Sequence, residues 1–273
     1  MDENPDVTTP LFDTIDRQHA HLPASSRRNL VKGTAAAIGG LGLMGLATGT
    51  AQAQKSDSVN TPETISAVAA TAEVLATIVN TVGPEKLGDQ LDATTRLNIQ
   101  AAAQQEKNHY ELLTSDAVGG KAVTTTIYVP DEVFASKENL LKTLVVGDQI
   151  FINAYLLATT VFARQGDLMG SRFARYTAEI MATEAVHRAL ALQSLGQLGN
   201  DRVYAKFTQK EEVQGLLTSN FKGFSKITNA VGLLEAAGFG FGKPGSKPGQ
   251  AYDYAEVSAR TPTVPGVNTI EIA

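Results

Sequence analysis

Four long segments of the chain carry apolar residues at alternating steps of three and four, which is the spacing of an amphipathic helix. The first, residues 62–80, follows Thr61 and begins with Pro62, a pair that suits a helix N-cap and the first helical position. The others cover residues 92–113, 138–164 and 171–196. The pattern therefore predicts four helices, each with one face turned toward a common core.

The segments that join these helices differ in length. Residues 114–137 contain a Gly-Gly pair, a β-branched run and Pro130, none of which continues a helix, so they predict a long connection. A short turn, QGDLMG, joins the third and fourth helices. Two helical hairpins joined by one long crossover make a ferritin-like four-helix bundle, and the expected fold class is all-α.

Charged residues interrupt the apolar faces of these helices. The motif Glu-x-x-His occurs twice, as EKNH in the second helix and EAVH in the fourth. A carboxylate on the inner face of a bundle costs several kcal/mol unless it is paired or binds a metal ion. Five such inner positions can be named: Glu106, His109, Asp148, Glu184 and His187.

The first helix adds a sixth candidate, Glu73, which lies one position off the apolar face and can turn inward. Glu73 precedes Glu106 by 33 residues and Asp148 precedes Glu184 by 36, so each hairpin brings its lone carboxylate level with its Glu-x-x-His motif. Four carboxylates balance the charge of two divalent cations. We therefore expect one site for two metal ions.

Other interpretations of these residues stay open. A single Glu-x-x-His on a helix is usually a surface pair, and Glu63 lies on the same helix as Glu73. Asp148 is shorter than Glu, so instead of bridging it can be a terminal ligand or a group beside the ligands. Tyr110 and Tyr155 lie near the proposed ligands, where core packing is favoured over a role in the site or as a radical sink.

The beginning of the chain has the order of a signal peptide. The pair Arg27-Arg28 precedes a Gly/Ala/Leu stretch that ends in Ala-Gln-Ala at 51–53, which is typical of the twin-arginine type; a membrane helix is the alternative. Only four histidines occur in the chain, and the two outside the motifs, His19 and His21, precede this cleavage site. The predicted mature chain thus keeps only the histidines of the two motifs and no membrane span.

The expected organisation is a signal peptide at 1–53, the bundle at 54–200 and a C-terminal extension at 201–273. In the extension, residues 203–236 are weakly helical and the Gly/Pro-rich tail from 238 is expected to be mostly irregular and able to wrap the bundle. The chain has a net charge of −5 and no cysteine. This argues against nucleic acid or an anionic membrane surface as a partner, and it excludes disulfides and a lipoprotein anchor.

These motifs resemble those of the di-metal carboxylate proteins of the ferritin-like superfamily, such as bacterioferritin, rubrerythrin and manganese catalase. The similarity is closest to the exported bacterial ferritin-like domain proteins called desiccation-related, and it covers about residues 61–197. In this family the first and third helices each supply a carboxylate. The resemblance implies bridging ligands at Glu106 and Glu184, terminal ligands at His109 and His187, and further carboxylates at Glu73 and Asp148. Asp148 stands where the family usually has Glu.

Ligation by carboxylate and imidazole favours two iron or two manganese ions, and the lack of thiolate argues against copper(I) or iron–sulfur chemistry. Such a pair suits reaction with dioxygen or hydrogen peroxide, as a ferroxidase, in peroxide removal or in oxidation of an organic substrate. Export of an already folded protein to the periplasm or medium fits a metal inserted before export. The alternative is a structural or interaction module of the cell envelope, with a vestigial or structural metal site and a surface for a homo-oligomer. Iron storage is a third, weaker alternative.

Overall fold

The computed structural model of the protein describes residues 59–200 and 226–264. This part is mostly helical (68%), with six α-helices and a small sheet, so the expected helical bundle is confirmed at that level. The long helices are α1 (Pro62–Leu87), α2 (Ala93–Thr114), α3 (Lys137–Ala163) and α4 (Leu168–Ser194).

Each long helix begins at a polar side chain that caps its first turn. Thr61, Asp92, Ser136 and Asp167 each accept a hydrogen bond from the backbone N–H three residues later. Such a cap satisfies one of the N–H groups that the first turn leaves without a helical partner. The observed helix starts agree with the predicted ones to within three residues.

Helix α1 extends further than its sequence indicates, to Leu87 instead of residue 80, and it includes Pro84 near its end. Packing explains the extension, because the last turns of α1 are held against α3. A Cβ atom added at Gly83 would lie 2.7 Å from Cδ2 of Leu140, which is fully buried. Glycine therefore allows the close approach of these two helices.

The bundle consists of two helical hairpins that pack against each other. Helix α1 packs along α2, and α3 packs along α4 after a short turn; contacts of α1 with α3 and of α2 with α4 join the two hairpins. One large hydrophobic cluster and one smaller cluster fill the interior. All four helices thus turn one face toward the same core.

Two of these helices are long and apolar enough to cross a membrane by length and composition alone. They are Pro62–Gln90, counted with the short 3-10 helix that follows α1, and Lys137–Ala163. In the most apolar window of the first, 89% of the residues are buried inside the protein, and in that of the second 56%. Burial in the bundle core accounts for the apolar composition of the first helix.

The crossover and the tail form a small sheet, which the sequence did not predict. Strand β1 (Thr126–Pro130) lies in the crossover; β2 (Gly240–Phe241) and β3 (Gly249–Asp253) lie in the expected irregular tail. The order is β2-β1-β3, both pairs are antiparallel, and Ile127 faces Phe241 on one side and Tyr252 on the other. The β-branched run at 124–129 forms the central strand because it finds partners far along the chain.

Two short helices complete the described part, α5 (Thr228–Ala236) and α6 (Tyr254–Ser258). The segment from α6 to Val264 lies across the α1–α2 hairpin. The backbone N–H of Val264 donates to Oε1 of Gln104 at 2.7 Å, and the rings of Tyr254 and Tyr110 stack with centroids 4.3 Å apart. The tail therefore wraps this hairpin; residues 201–225, most of the predicted weak helix, lie outside the described residues.

The contact at Gly83 predicts an asymmetric effect of alanine substitutions. We expect Gly83→Ala to lower the free energy of unfolding by about 1–3 kcal/mol, because the new methyl group overpacks against buried Leu140. Gly232→Ala in α5 is the matched control, since a Cβ there meets nothing within 4 Å, and its helix propensity raises stability by up to about 1 kcal/mol. Urea unfolding checks both, and equal effects would contradict the close approach.

Candidate metal centre

All six residues that the sequence marked as ligands lie in the bundle interior. The three glutamates are fully buried, with 0% exposure, and Asp148 and His187 are 5% and 8% exposed. They come from all four long helices: Glu73 from α1, Glu106 and His109 from α2, Asp148 from α3, Glu184 and His187 from α4.

Four of these side chains form a compact group that can hold a metal ion. Each of Glu73, Glu106, His109 and Glu184 offers one ligand atom, and these atoms lie within 4.8 Å of one another. Nδ1 of His109 is 3.1 Å from Oε2 of Glu106 and 3.5 Å from both Oε2 of Glu73 and Oε1 of Glu184. Three carboxylates from three helices thus surround one imidazole nitrogen.

The second histidine, His187, faces the other carboxylate oxygens of Glu106 and Glu184. Nδ1 of His187 is 2.9 Å from Oε1 of Glu106 and 3.8 Å from Oε2 of Glu184. Glu106 and Glu184 therefore each direct one oxygen toward His109 and the other toward His187. A carboxylate in this position can bridge two cations.

Asp148 is separate from the compact group and lies on the His187 side of the centre. It lines a cavity of about 20 Å³ together with His187, and its nearest charged neighbours include Glu184 and His187. This position fits a carboxylate that contributes to only one half of a paired site.

Several polar atoms of the centre are buried without a hydrogen-bond partner. Nδ1 of His187 and Oε1 of Glu106 are close, but their orientation does not suit a hydrogen bond. A buried carboxylate oxygen without a partner costs roughly 1–3 kcal/mol or more, and coordination to a cation satisfies it. The unpaired atoms are Oε2 of Glu73, Oε1 of Glu106, both Oε atoms of Glu184, Oδ2 of Asp148 and Nδ1 of His187. These donors fit the oxygen and nitrogen ligation of iron or manganese.

Burial and the neighbouring charges shift the pKa values of Glu73, Asp148 and Glu106 in different directions. Burial, together with the charges of Glu106 and Glu184, raises the pKa of Glu73 well above its usual range. The pKa of Asp148 is raised by burial and by the charge of Glu184. Burial acts in the same direction on Glu106, but its attraction to His187 and its hydrogen bond to His109 lower its pKa. Glu106 is therefore readily ionised, whereas Glu73 and Asp148 favour the protonated form.

The two imidazoles favour the protonated form. Burial by itself would lower the pKa of His109, but its hydrogen bond to Glu106 and the nearby carboxylates of Glu184 and Glu73 raise it well above the usual value. Burial opposes protonation of His187 in the same way, and the charge of Glu106 raises its pKa. A cation and these protons therefore compete for the same carboxylates.

Two polar residues hold the ligands in place. The O–H of Tyr155, on α3 and fully buried, donates a hydrogen bond to Oε1 of Glu73. Nε2 of His187 lies 2.7 Å from Oε1 of Gln105, so this N–H donates to the amide and Nδ1 faces the glutamates. Tyr155 was recognised in the sequence chiefly as a core residue. Gln105 has no sequence signal, since it is one position off the inner face of α2.

No family model, curated protein or solved structure matches this chain. The candidate centre therefore rests on the geometry of the side chains themselves. The signal peptide predicted at 1–53 lies outside the described residues and stays a prediction, as do the domain limits.

The raised histidine pKa values predict that metal binding releases protons. An imidazole must be neutral to bind a metal ion, and in the metal-free protein the pKa of both histidines is raised above its usual value. We therefore expect the affinity for Mn(II) to increase as the pH rises from 6 to 8. Calorimetry in two buffers of different ionisation enthalpy measures the released protons, and an affinity independent of pH would contradict the arrangement.

The contact of Gln105 with His187 predicts a loss of metal affinity on its removal. Gln105→Leu should weaken Mn(II) binding by about 10–100-fold, whereas Gln105→Glu keeps an acceptor for Nε2–H and should restore most of it. Gln104→Leu is the matched control, because its neighbouring amide accepts from Val264 at the tail. Equal weakening by both leucine variants would show a general effect on α2.

Proposed function

We propose that this chain is an exported di-metal carboxylate protein of the ferritin-like type, which holds two iron or two manganese ions and reacts with dioxygen or hydrogen peroxide. The observation that carries the proposal is the group formed by Glu73, Glu106, His109 and Glu184, whose ligand atoms lie within 4.8 Å of one another. The orientation of Glu106 and Glu184 toward both histidines supports a pair of ions.

Each residue has a distinct role in this proposal. Glu106 and Glu184 would hold both ions, Glu73 and His109 would hold the ion on one side, and His187 would hold the other, on the side where Asp148 lies. Two bridged iron or manganese ions supply the capacity to exchange two electrons with dioxygen or peroxide. The six side chains supply the charge that holds the pair.

The surroundings of the centre keep the ligands away from water and in fixed positions. Burial of the ligands excludes bulk water, which strengthens each electrostatic contact in the site. Burial and the charge of Glu73 raise the pKa of Tyr155, so its hydroxyl stays protonated and donates to Glu73. This hydrogen bond fixes Glu73 on its side of the centre.

The proposed reactions are iron oxidation and removal of peroxide, as part of protection against stress outside the cytoplasm. Folded export by the twin-arginine route, inferred from the Arg27-Arg28 pair, fits a cofactor inserted before translocation. A resident pair of ions fits this route better than a transit site that passes iron to a store.

A second function is a structural module whose polar centre locks the bundle. The favouring observation is that His109 and His187 lie against the carboxylates, at 3.1 Å and 2.9 Å from oxygens of Glu106, and partly neutralise them when protonated. A network of buried ion pairs can specify helix register without a redox role.

Metal analysis and histidine substitutions distinguish the two functions. We expect about two equivalents of iron or manganese in protein purified without chelator, and at least a roughly tenfold loss of Fe(II) oxidation or peroxide consumption in His109→Ala and His187→Ala. Asn108→Ala and Val186→Ala are controls, since they change the same two motifs without removing a proposed ligand.

Thermal unfolding with and without metal completes this test. A metal ion at a hundredfold excess over its Kd stabilises the native protein by about 2.7 kcal/mol, and the histidine variants should lose most of this gain. Protein that takes up less than about half an equivalent, even after anaerobic addition of Fe(II) or Mn(II), would contradict the redox function. Histidine variants that only lower the melting temperature would support the structural one.

A further inference from the structure

A cleft of about 250 Å³ lies on the Asp148 side of the candidate metal centre. Its walls come from α1, α3, the 3-10 helix Asp131–Phe134 that follows β1, and the segment between α5 and β2. Most of the lining is apolar, including Val79, Leu144, Phe151 and Phe239. Asp148 itself forms part of the wall, so the cleft reaches a carboxylate of the centre.

The size of this cleft exceeds what dioxygen or peroxide requires. Two other cavities in the described part of the chain measure about 20 Å³ each, and one of them, lined by Asp148 and His187, has room for one water-sized molecule. An apolar cavity of about 150 Å³ accommodates benzene. By that comparison, a cleft of about 250 Å³ accommodates a molecule of roughly ten non-hydrogen atoms.

The charges at the cleft favour an uncharged occupant. Two lysines line it, and each is paired with a carboxylate: Lys247 with Glu132 and Lys142 with Glu138. The lining between them is mainly apolar, so a charged occupant would lose its hydration there without gaining an opposite charge. Asp148 has a buried oxygen, Oδ2, without a hydrogen-bond partner, which can accept from a hydroxyl or N–H group.

We infer that this cleft binds a small, uncharged and largely apolar organic molecule with one hydrogen-bond donor, such as a phenol or an indole, with its polar end toward Asp148. The inference rests on the proposed function only in placing that molecule beside a metal centre. Binding of such a molecule, as a substrate or a modulator, would distinguish this site from one that reacts with peroxide alone.

Indole is a suitable probe, because it is of the expected size and the protein contains no tryptophan, so its fluorescence has no tryptophan background. We expect saturable binding of indole to the full-length protein, and at least about tenfold weaker binding of indole-2-carboxylate, which carries a negative charge. Absence of saturable indole binding up to millimolar concentrations would overturn the inference.

Gly147 provides the variant that fills the cleft. It lies in α3 and lines the cleft, and a Cβ added there meets nothing within 4 Å. Leucine also favours the helix, so Gly147→Leu should fold and should weaken indole binding by at least about tenfold. Gly232→Leu in α5 is the matched control, since it is also open and does not line the cleft.

A second substitution covers the case in which Gly147→Leu fails to fold. Val146→Phe adds bulk at a half-exposed position of the same wall, and it too should weaken indole binding. Wild-type affinity in a folded variant of either kind would place indole elsewhere and overturn the inference.

Metal content and paramagnetic relaxation separate this inference from the proposed function. Bound indole protons should relax faster in protein loaded with Mn(II) than with Zn(II) if the cleft adjoins the centre. Indole binding that Gly147→Leu abolishes, in a protein that takes up no metal, would uphold the cleft and reject the metal function. Two bound metal ions without indole binding would do the reverse.

Discussion

Three glutamates, Glu73, Glu106 and Glu184, lie fully buried around one point in the bundle, and this burial of like charge is the condition that the rest of the structure must satisfy. Ionised carboxylates cost several kcal/mol each to remove from water unless opposite charge is supplied. His109 and His187 can supply part of it, and the oxygens that stay unpaired can bind a cation.

The helical frame allows such a cluster because each helix contributes only one or two polar residues to an otherwise apolar face. The rest of the interior is filled by two clusters of buried apolar side chains. Gly83 lets α1 approach α3 closely, and Tyr155 connects α3 to Glu73. The rigid, close-packed frame is what holds the charged groups at short distances despite their repulsion.

The C-terminal part contributes to the sheet, to the packing against α1 and to the wall of the cleft. Its strands pair with the crossover strand, its short helix α6 packs on α1, and Phe239 closes one wall of the cleft beside Asp148. The two sides of the centre therefore differ in character. A water-sized cavity and a larger apolar cleft meet at the same carboxylate, Asp148.

The sequence by itself determined the four long helices, their starts and which residues face inward. These depend on local periodicity and capping, which are readable over one or two turns. The spacings of 33 and 36 residues within the hairpins also predicted Glu73 at the level of Glu106, and Asp148 at the level of Glu184. The small sheet formed by the crossover and the tail was not predicted, because strand pairing between residues more than a hundred positions apart leaves no local signal.

Tertiary packing alone decided the remaining features of the centre. The set of four ligand atoms, the position of Asp148 outside it, the hydrogen bond from His187 to Gln105 and the cleft all depend on distances between different helices. Periodicity assigns a residue to a face, but it does not state how far two faces are apart or how one helix is rotated against another. Those quantities are set by the volumes of side chains that meet across the core.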